Sequence, residues 1–448
     1  MSPLHRAEGD DAPASGTAAP IVSAPAGTIR GLVEGGTAVF RGIPYADPPV
    51  GELRWLAPRR RAPFDGVFDA TRWGATPQRR PFADVTTIPE PTIPGDDVLT
   101  LNVFTAPDRL LAGAEPLPVM VWIHGGGYTA GSAASPWYDG SAFVRDGVVV
   151  VTIAYRVAFD GFGWLPGVVA DRGLLDWICA LEWVRDNIRA FGGDPERVTI
   201  AGQSAGGGAV LCLLATEAAQ PLFARAMSLS GIDEIITPEH AEQLTRSFAA
   251  HLGIEATPDA FGALSDAALQ AASAEWRAAS GELLLAYAPT TPRLPEGLAV
   301  TGLDTPLVLG STTDEFGAFQ VAEGVSATDA MFRSTCVRVA RARAGASAGT
   351  WLYSFEWVSP VTGGATHCID LPFVFDVLAE SHVAGTLGAT PEGLAAVRHA
   401  DAVAFVRGES PSWAPAVGTL ADEVRVYDTV STVGHGQYAT AIALVDAR

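Results

Sequence analysis

Lysine is missing altogether: all 29 basic residues are arginine, against 50 acidic ones, for a net charge of −21. A surface this acidic argues against nucleic acid or an anionic membrane as a partner. Cysteine is scarce. Cys179, Cys212, Cys336 and Cys368 fall at no metal-binding spacing, so neither a metal nor another cofactor is expected. Cys179 and Cys212 sit inside apolar helical patterns and read as core residues. No run approaches the roughly 18 apolar residues of a membrane span. Residues 1–20, rich in Ala, Pro, Ser, Gly and acid, lack the apolar segment of a signal peptide. The expectation is a frayed tail over 1–20 and a cytoplasmic, reduced protein. Repeats are absent and no linker divides the chain, so 21–448 reads as one domain. What the chain does have is apolar bulk: 48% hydrophobic against 18% charged over 448 residues, enough for a large core.

Residues 27–40 read as a small hairpin, with Gly27 to Val33 going out, Glu34-Gly35-Gly36 turning, and Thr37 to Phe40 returning. From Pro118 strand and helix alternate. Val119 to Ile123 and Val148 to Tyr155 are continuous apolar runs, the pattern of strands covered on both faces. Leu174, Ile178, Leu181, Val184, Ile188 and Phe191 then recur at helical spacing, and Gly192-Gly193-Asp194-Pro195 stops that helix. Further strands are expected at 197–200, 224–231, 306–310, 351–355 and 424–427, while 239–288 reads as amphipathic helices without a sheet signal. The fold class is α/β: one large, mostly parallel sheet with helices on both faces and an inserted helical region.

One turn organises this pattern. The run Arg197-Val198-Thr199-Ile200 leads into Ala201-Gly202-Gln203-Ser204-Ala205-Gly206-Gly207-Gly208, and a helix-competent run follows. A G-x-S-x-G between a strand and a helix is a nucleophile elbow, which leaves one serine on a sharp bend. Gly202 and Gly206 flank Ser204 where a Cβ would collide, and glycine tolerates the strained backbone. Acyl transfer through serine also needs a base, an acid to orient it, and N–H donors for the developing oxyanion. His124-Gly125-Gly126-Gly127 ends the strand at 119–123, upstream of the elbow, as an oxyanion loop should. Its donors would be the N–H groups of Gly126 and Gly127, with that of Ala205.

The serine–acid–histidine order of this fold removes histidines before Ser204. His240 and His251 precede any strand able to carry the acid, and His382, His399 and His435 follow polar or helical stretches. His367, in the loop Thr362 to Cys368 after a strand, is placed to project as base. The acid follows the strand ending at Gly310, where Asp314 and Glu315 are both open by pattern.

Ordered motifs run nearly the length of the chain. They include Arg41 to Ala46, Asp97 to Val103, Trp122 to Tyr128 and Ala154 to Val157. Phe191 to Pro195, Gly202 to Gly207, Asp314-Glu315, and His367 with Leu371 to Phe375 complete the set. In these the chain resembles the type-B carboxylesterase family, of the α/β-hydrolase fold, which includes cholinesterases and bacterial p-nitrobenzyl esterases. The resemblance implies Ser204 as nucleophile, Glu315 as the acid, His367 as base, and Ser230 as a hydroxyl behind the triad. Where the family often closes an early loop with a disulfide, Thr76 and Val98 stand here. Gln203 replaces the glutamate that usually precedes the serine, so a buried negative charge is lost. The interval from Glu315 to His367 is shorter than in the family, which should thin the wall over Ser204 and leave a broad, shallow substrate preference.

The function implied is a serine carboxylic-ester hydrolase, working on a small-molecule ester through an acyl-enzyme, as a monomer or homodimer. Carbamate or amide hydrolysis would use the same groups against a harder leaving group. A non-catalytic binding protein on the same fold is the reading from another class; loss of the serine, acid or histidine would mark it, and all three are present.

Overall fold

The computed structural model describes residues 19–82, 86–233, 235–281, 286–317, 319–416 and 423–447. The tail expected over 1–20 therefore lies, up to residue 18, outside the described residues. An eleven-stranded sheet forms the centre of the molecule. Its spatial order is Thr432–Gly434, Val424–Tyr427, Thr350–Phe355, Leu307–Thr312, Arg225–Leu229, Gly193–Gln203, Leu117–Ile123, Val149–Ile153, Thr100–Thr105, Thr37–Pro44 and Leu32–Glu34. From Val424–Tyr427 across to Val149–Ile153 all neighbours run parallel, and the pairs beyond either end are antiparallel.

The apolar runs become strands because both sheet faces are covered. Val119, Met120, Val121, Trp122 and Ile123 are all fully buried, as are Val149, Val150 and Val151. Each such side chain is worth about 1.5–3 kcal/mol of burial. The helices Arg172–Asn187 and Ala205–Leu214 pack on one face and bury Cys179 and Cys212. Cys336, in the helix Ser334–Ala342, and Cys368 are buried too, and all four thiols are free. The inserted region forms the helices Pro238–Leu252, Pro258–Gly262 and Asp266–Ser280. Thr237, Thr257 and Ser265 cap them by accepting a hydrogen bond from the first turn. No helix among the described residues is long and apolar enough to cross a membrane.

Two elements differ from the sequence reading. The strand expected over 27–33 breaks at Gly31, where a Cβ would lie 2.5 Å from the Val39 carbonyl oxygen. Leu32–Glu34 does turn back onto Thr37–Pro44 through Gly35 and Gly36. Gly27–Arg30 instead joins Ile21–Ala24 and Val67–Asp69 in a separate three-stranded sheet. Thr100–Thr105 is a fully buried strand that no apolar run announces. Its Asn102 is accommodated because Oδ1 accepts from Gly42 N–H at 2.8 Å and Nδ2 donates to Thr152 Oγ1 at 2.9 Å.

Candidate active site

The strand Gly193–Gln203 delivers the chain to Ser204, whose φ of 58° and ψ of −124° form the bend before the helix Ala205–Leu214. The surrounding glycines are steric requirements. A Cβ on Gly202 would lie 2.4 Å from the Gly206 carbonyl oxygen, and one on Gly206 would lie 2.0 Å from that of Ile123. The bend is tied to the next strand by Ser204 N–H donating to the Leu229 carbonyl at 2.9 Å.

His367 faces this serine. Its Nε2 lies 2.8 Å from Ser204 Oγ, and its Nδ1 is hydrogen-bonded to Glu315 Oε2. Glu315 is buried, and its other oxygen accepts from Thr312 N–H at 2.9 Å. The Glu315 N–H in turn donates to Thr328 Oγ1 at 2.9 Å, which fixes the backbone carrying the acid. The rings of Phe316 and Phe332 pack together against the imidazole, each at 5.2 Å between centroids and 5.3 Å from one another. Asp314 points elsewhere: its carboxylate faces Gly364, where a Cβ would lie 2.1 Å from Oδ2. The alternative left open by the sequence is thus resolved geometrically in favour of contact between Glu315 and the histidine.

The oxyanion loop leaves the strand Leu117–Ile123. His124 is fully buried and stacks on Tyr155 at 4.5 Å, and burial pushes its imidazole down to about 4. It is therefore a neutral scaffold residue, with Nδ1 2.8 Å from the Gly125 carbonyl oxygen. Gly126 and Gly127 have φ of 116° and 58°, open to glycine and strained for other residues. Ala205 is the first helical residue, so its N–H has no partner within the helix. Gly126, Gly127 and Ala205 line the same cavity as Ser204 and His367.

Gln203 is fully buried, with Nε2 3.2 Å from His367 Nε2 and its Oε1 unpaired among the described residues. Ser230 is buried in a left-handed conformation, φ 46°, with its hydroxyl unpaired among the described residues. Burial works against a charged His367, yet the net shift of its pKa is well upward, through Cys368 and Glu315. Burial also pushes the Cys368 thiol up.

A cavity of about 400 Å³ lies over these groups. Sequence reasoning found its floor and missed its walls: Phe82, Ile88, Glu90, Tyr138, Met331 and Phe332 carry no motif. The short interval between Glu315 and His367 does build a wall. Its hairpin Gln320–Ala322 and Val325–Ser326 leads into the wide turn Thr328–Arg333, which places Met331 and Phe332 on the cavity.

The sequence profile of the carboxylesterase family matches residues 18–325. The para-nitrobenzyl esterase of Bacillus subtilis is 36% identical over 411 residues, covering 79% of this chain and 82% of that protein. Phenmedipham hydrolase of Pseudarthrobacter oxydans is 33% identical over 428 residues, covering 80% and 82%. The solved structure of a thermophilic p-nitrobenzyl esterase superposes with a TM-score of 0.84 at 30% identity, over 94% of this chain and 99% of the other.

Proposed function

The chain belongs to the carboxylesterase family, and we propose that Ser204, His367 and Glu315 carry the hydrolysis of a carboxylic ester. The observation that carries this reading is the relay itself: Ser204 Oγ 2.8 Å from His367 Nε2, with Nδ1 held by the buried Glu315 carboxylate. Neutral His367 accepts the Ser204 proton as Oγ attacks the ester carbonyl carbon. The oxygen that becomes negative is held by the N–H groups of Gly126, Gly127 and Ala205. Glu315 keeps the Nδ1–H tautomer and stabilises the imidazolium while it exists. Collapse breaks the bond to the leaving oxygen, which takes the proton from Nε2 and departs as alcohol. Water then enters and gives a proton to His367 as its oxygen attacks the acyl carbon. Collapse breaks the bond to Ser204 Oγ, which takes that proton back from Nε2 as the acid departs.

The groups are the same for an amide or carbamate, but an amide's nitrogen leaves less readily than an alkoxide, and nitrogen donation makes a carbamate's carbonyl carbon less electrophilic. The reading is tested by trapping. A slowly deacylating p-nitrophenyl ester should release a burst of p-nitrophenol and add the mass of one acyl group to the peptide holding Ser204. Acyl mass on any other residue, with Ser204 unmodified, overturns it.

A further inference from the structure

We propose that Arg79 is a positioning residue for substrate choice, clasping the segment that walls the catalytic cavity to the inserted helices. The inference rests on the ester-hydrolase reading of that cavity and names what holds its selectivity in place. Phe82, Thr86, Thr87, Ile88 and Glu90 line the cavity, and all belong to the one segment between Thr76 and Gly95. Among its described residues that segment has neither helix nor strand, so side chains fix its course. Its feet meet. Thr76 Oγ1 accepts from Ile93 N–H at 2.9 Å, and Gln78 Nε2 donates to the Pro91 carbonyl at 2.8 Å. The Arg79 guanidinium closes the same neck, donating to the carbonyl of Thr76 and, at 3.0 Å, to that of Gly95. Its Nε also reaches Asp266, the first residue of the helix Asp266–Ser280, at 2.5 Å. Gln270, one turn further along, accepts from the Arg79 N–H at 2.8 Å and donates to the Pro77 carbonyl at 2.9 Å. The planar fork of arginine serves a carboxylate and two carbonyls at once, which a single ammonium does not.

The clasp stands outside the cavity it affects. Arg79 and Asp266 line a second cavity, of about 320 Å³, that shares no lining residue with the catalytic one. Among the described residues, none of the helices Pro238–Leu252, Pro258–Gly262 and Asp266–Ser280 lines the catalytic cavity either. The segment they hold does reach the chemistry. The Phe82 ring comes within 3.1 Å of where a Cβ on Gly127 would stand, so it rests on the oxyanion loop. Across the segment, Phe82 N–H donates to the Glu90 carboxylate at 2.7 Å. The Arg79 side chain is 17% exposed and that of Asp266 39%. An ion pair this close to water adds little to global stability, so its consequence is where the wall stands.

The test reads selectivity and not turnover alone. In wild type and Arg79→Met, kcat and KM are measured for p-nitrophenyl acetate and hexanoate, which vary the acyl side. Ethyl and hexyl butyrate vary the alcohol side. Acetate should keep its kcat, because the triad and oxyanion loop are untouched. The long-over-short ratio of kcat/KM should fall on the order of tenfold for at least one pair, chiefly through a higher KM. A role confined to holding the fold together would lower the melting temperature and slow both members of a pair alike. An unchanged ratio for both pairs therefore overturns the proposal, whatever happens to stability. Asp266→Asn removes the charge and spares the two carbonyl contacts, so it should move the same ratio by a smaller factor. It decides the matter if Arg79→Met does not fold, and an unmoved ratio there overturns the proposal too. Calorimetric binding of the ether isostere of the responding long ester to Ser204→Ala, with and without Arg79→Met, reads the wall without turnover. Equal affinity also overturns the proposal, whereas absent hydrolysis in wild type would count against the esterase reading alone.

Discussion

Ser204 holds a strained backbone, and its hydroxyl is shared with an imidazole whose far side is already occupied by a buried carboxylate. Replacing it with alanine should lower kcat by roughly four or more powers of ten while the circular dichroism stays native, leaving only binding and oxyanion assistance. A folded variant that keeps a tenth of the turnover would show another nucleophile. Glu315→Gln should cost far more than Asp314→Asn, since only the Glu315 carboxylate reaches Nδ1; steady-state kcat of the two variants decides. The raised His367 pKa has a definite sign. The base works only when deprotonated, so kcat/KM should fall as pH drops through a value above the ordinary imidazole pKa. Gln203→Glu puts a negative charge 3.2 Å from Nε2 in place of the neutral amide and should move that acid limb further up. A pH–rate profile with an unmoved limb would show that residue 203 does not act on the histidine. At this scale the sequence was unevenly readable. The serine and the oxyanion glycines announce themselves because their conformations exclude other residue types. Asp314 and Glu315 do not, because which carboxylate meets His367 depends on backbone contacts made with Thr312 and Thr328.

At the scale of the element, the elbow is a crossing of backbones. The strand end Gly202, the helix start Gly206 and the neighbouring Ile123 carbonyl meet with no room for a methyl group. Gly206→Ala should therefore destabilise the fold by about 3 kcal/mol or more, read as a lowered urea midpoint, before any effect on catalysis is considered. A midpoint within error of wild type would mean the strand and helix can part without cost. The parallel strands and the helix Arg172–Asn187 were legible because burial on two faces, or on one helical stripe, leaves a period in the sequence. Thr100–Thr105 was not, because its polar residues are satisfied by distant partners such as Gly42 and Thr152. Gly31 divides a run that looks continuous, because the Val39 carbonyl and the Phe40 ring of a neighbouring strand lie against it.

For the whole molecule, the cavity is the least legible part and the one that decides substrate choice. Its walls come from residues 82, 86–88, 90, 125–128, 131–132, 138, 316 and 331–332, segments that meet only after the sheet has formed. No local pattern records such a meeting. With Met331 and Phe332 walling a space of about 400 Å³, acyl length should be discriminated in an ester series. Each added CH₂ should raise kcat/KM by up to about fourfold until the cavity is filled, from about 0.8 kcal/mol per buried CH₂. A p-nitrophenyl series with flat kcat/KM would show that the wall does not enclose the acyl chain. The four cysteines give the folded chain an internal clock. Every thiol is hidden, so a thiol reagent in excess should find the native protein silent, and each labelling event should date the opening of one neighbourhood. Cys179 and Cys212 would time the two helices against the sheet, Cys336 the helix behind the acid, and Cys368 the histidine loop. The order in which four masses appear would be the order in which the molecule comes apart.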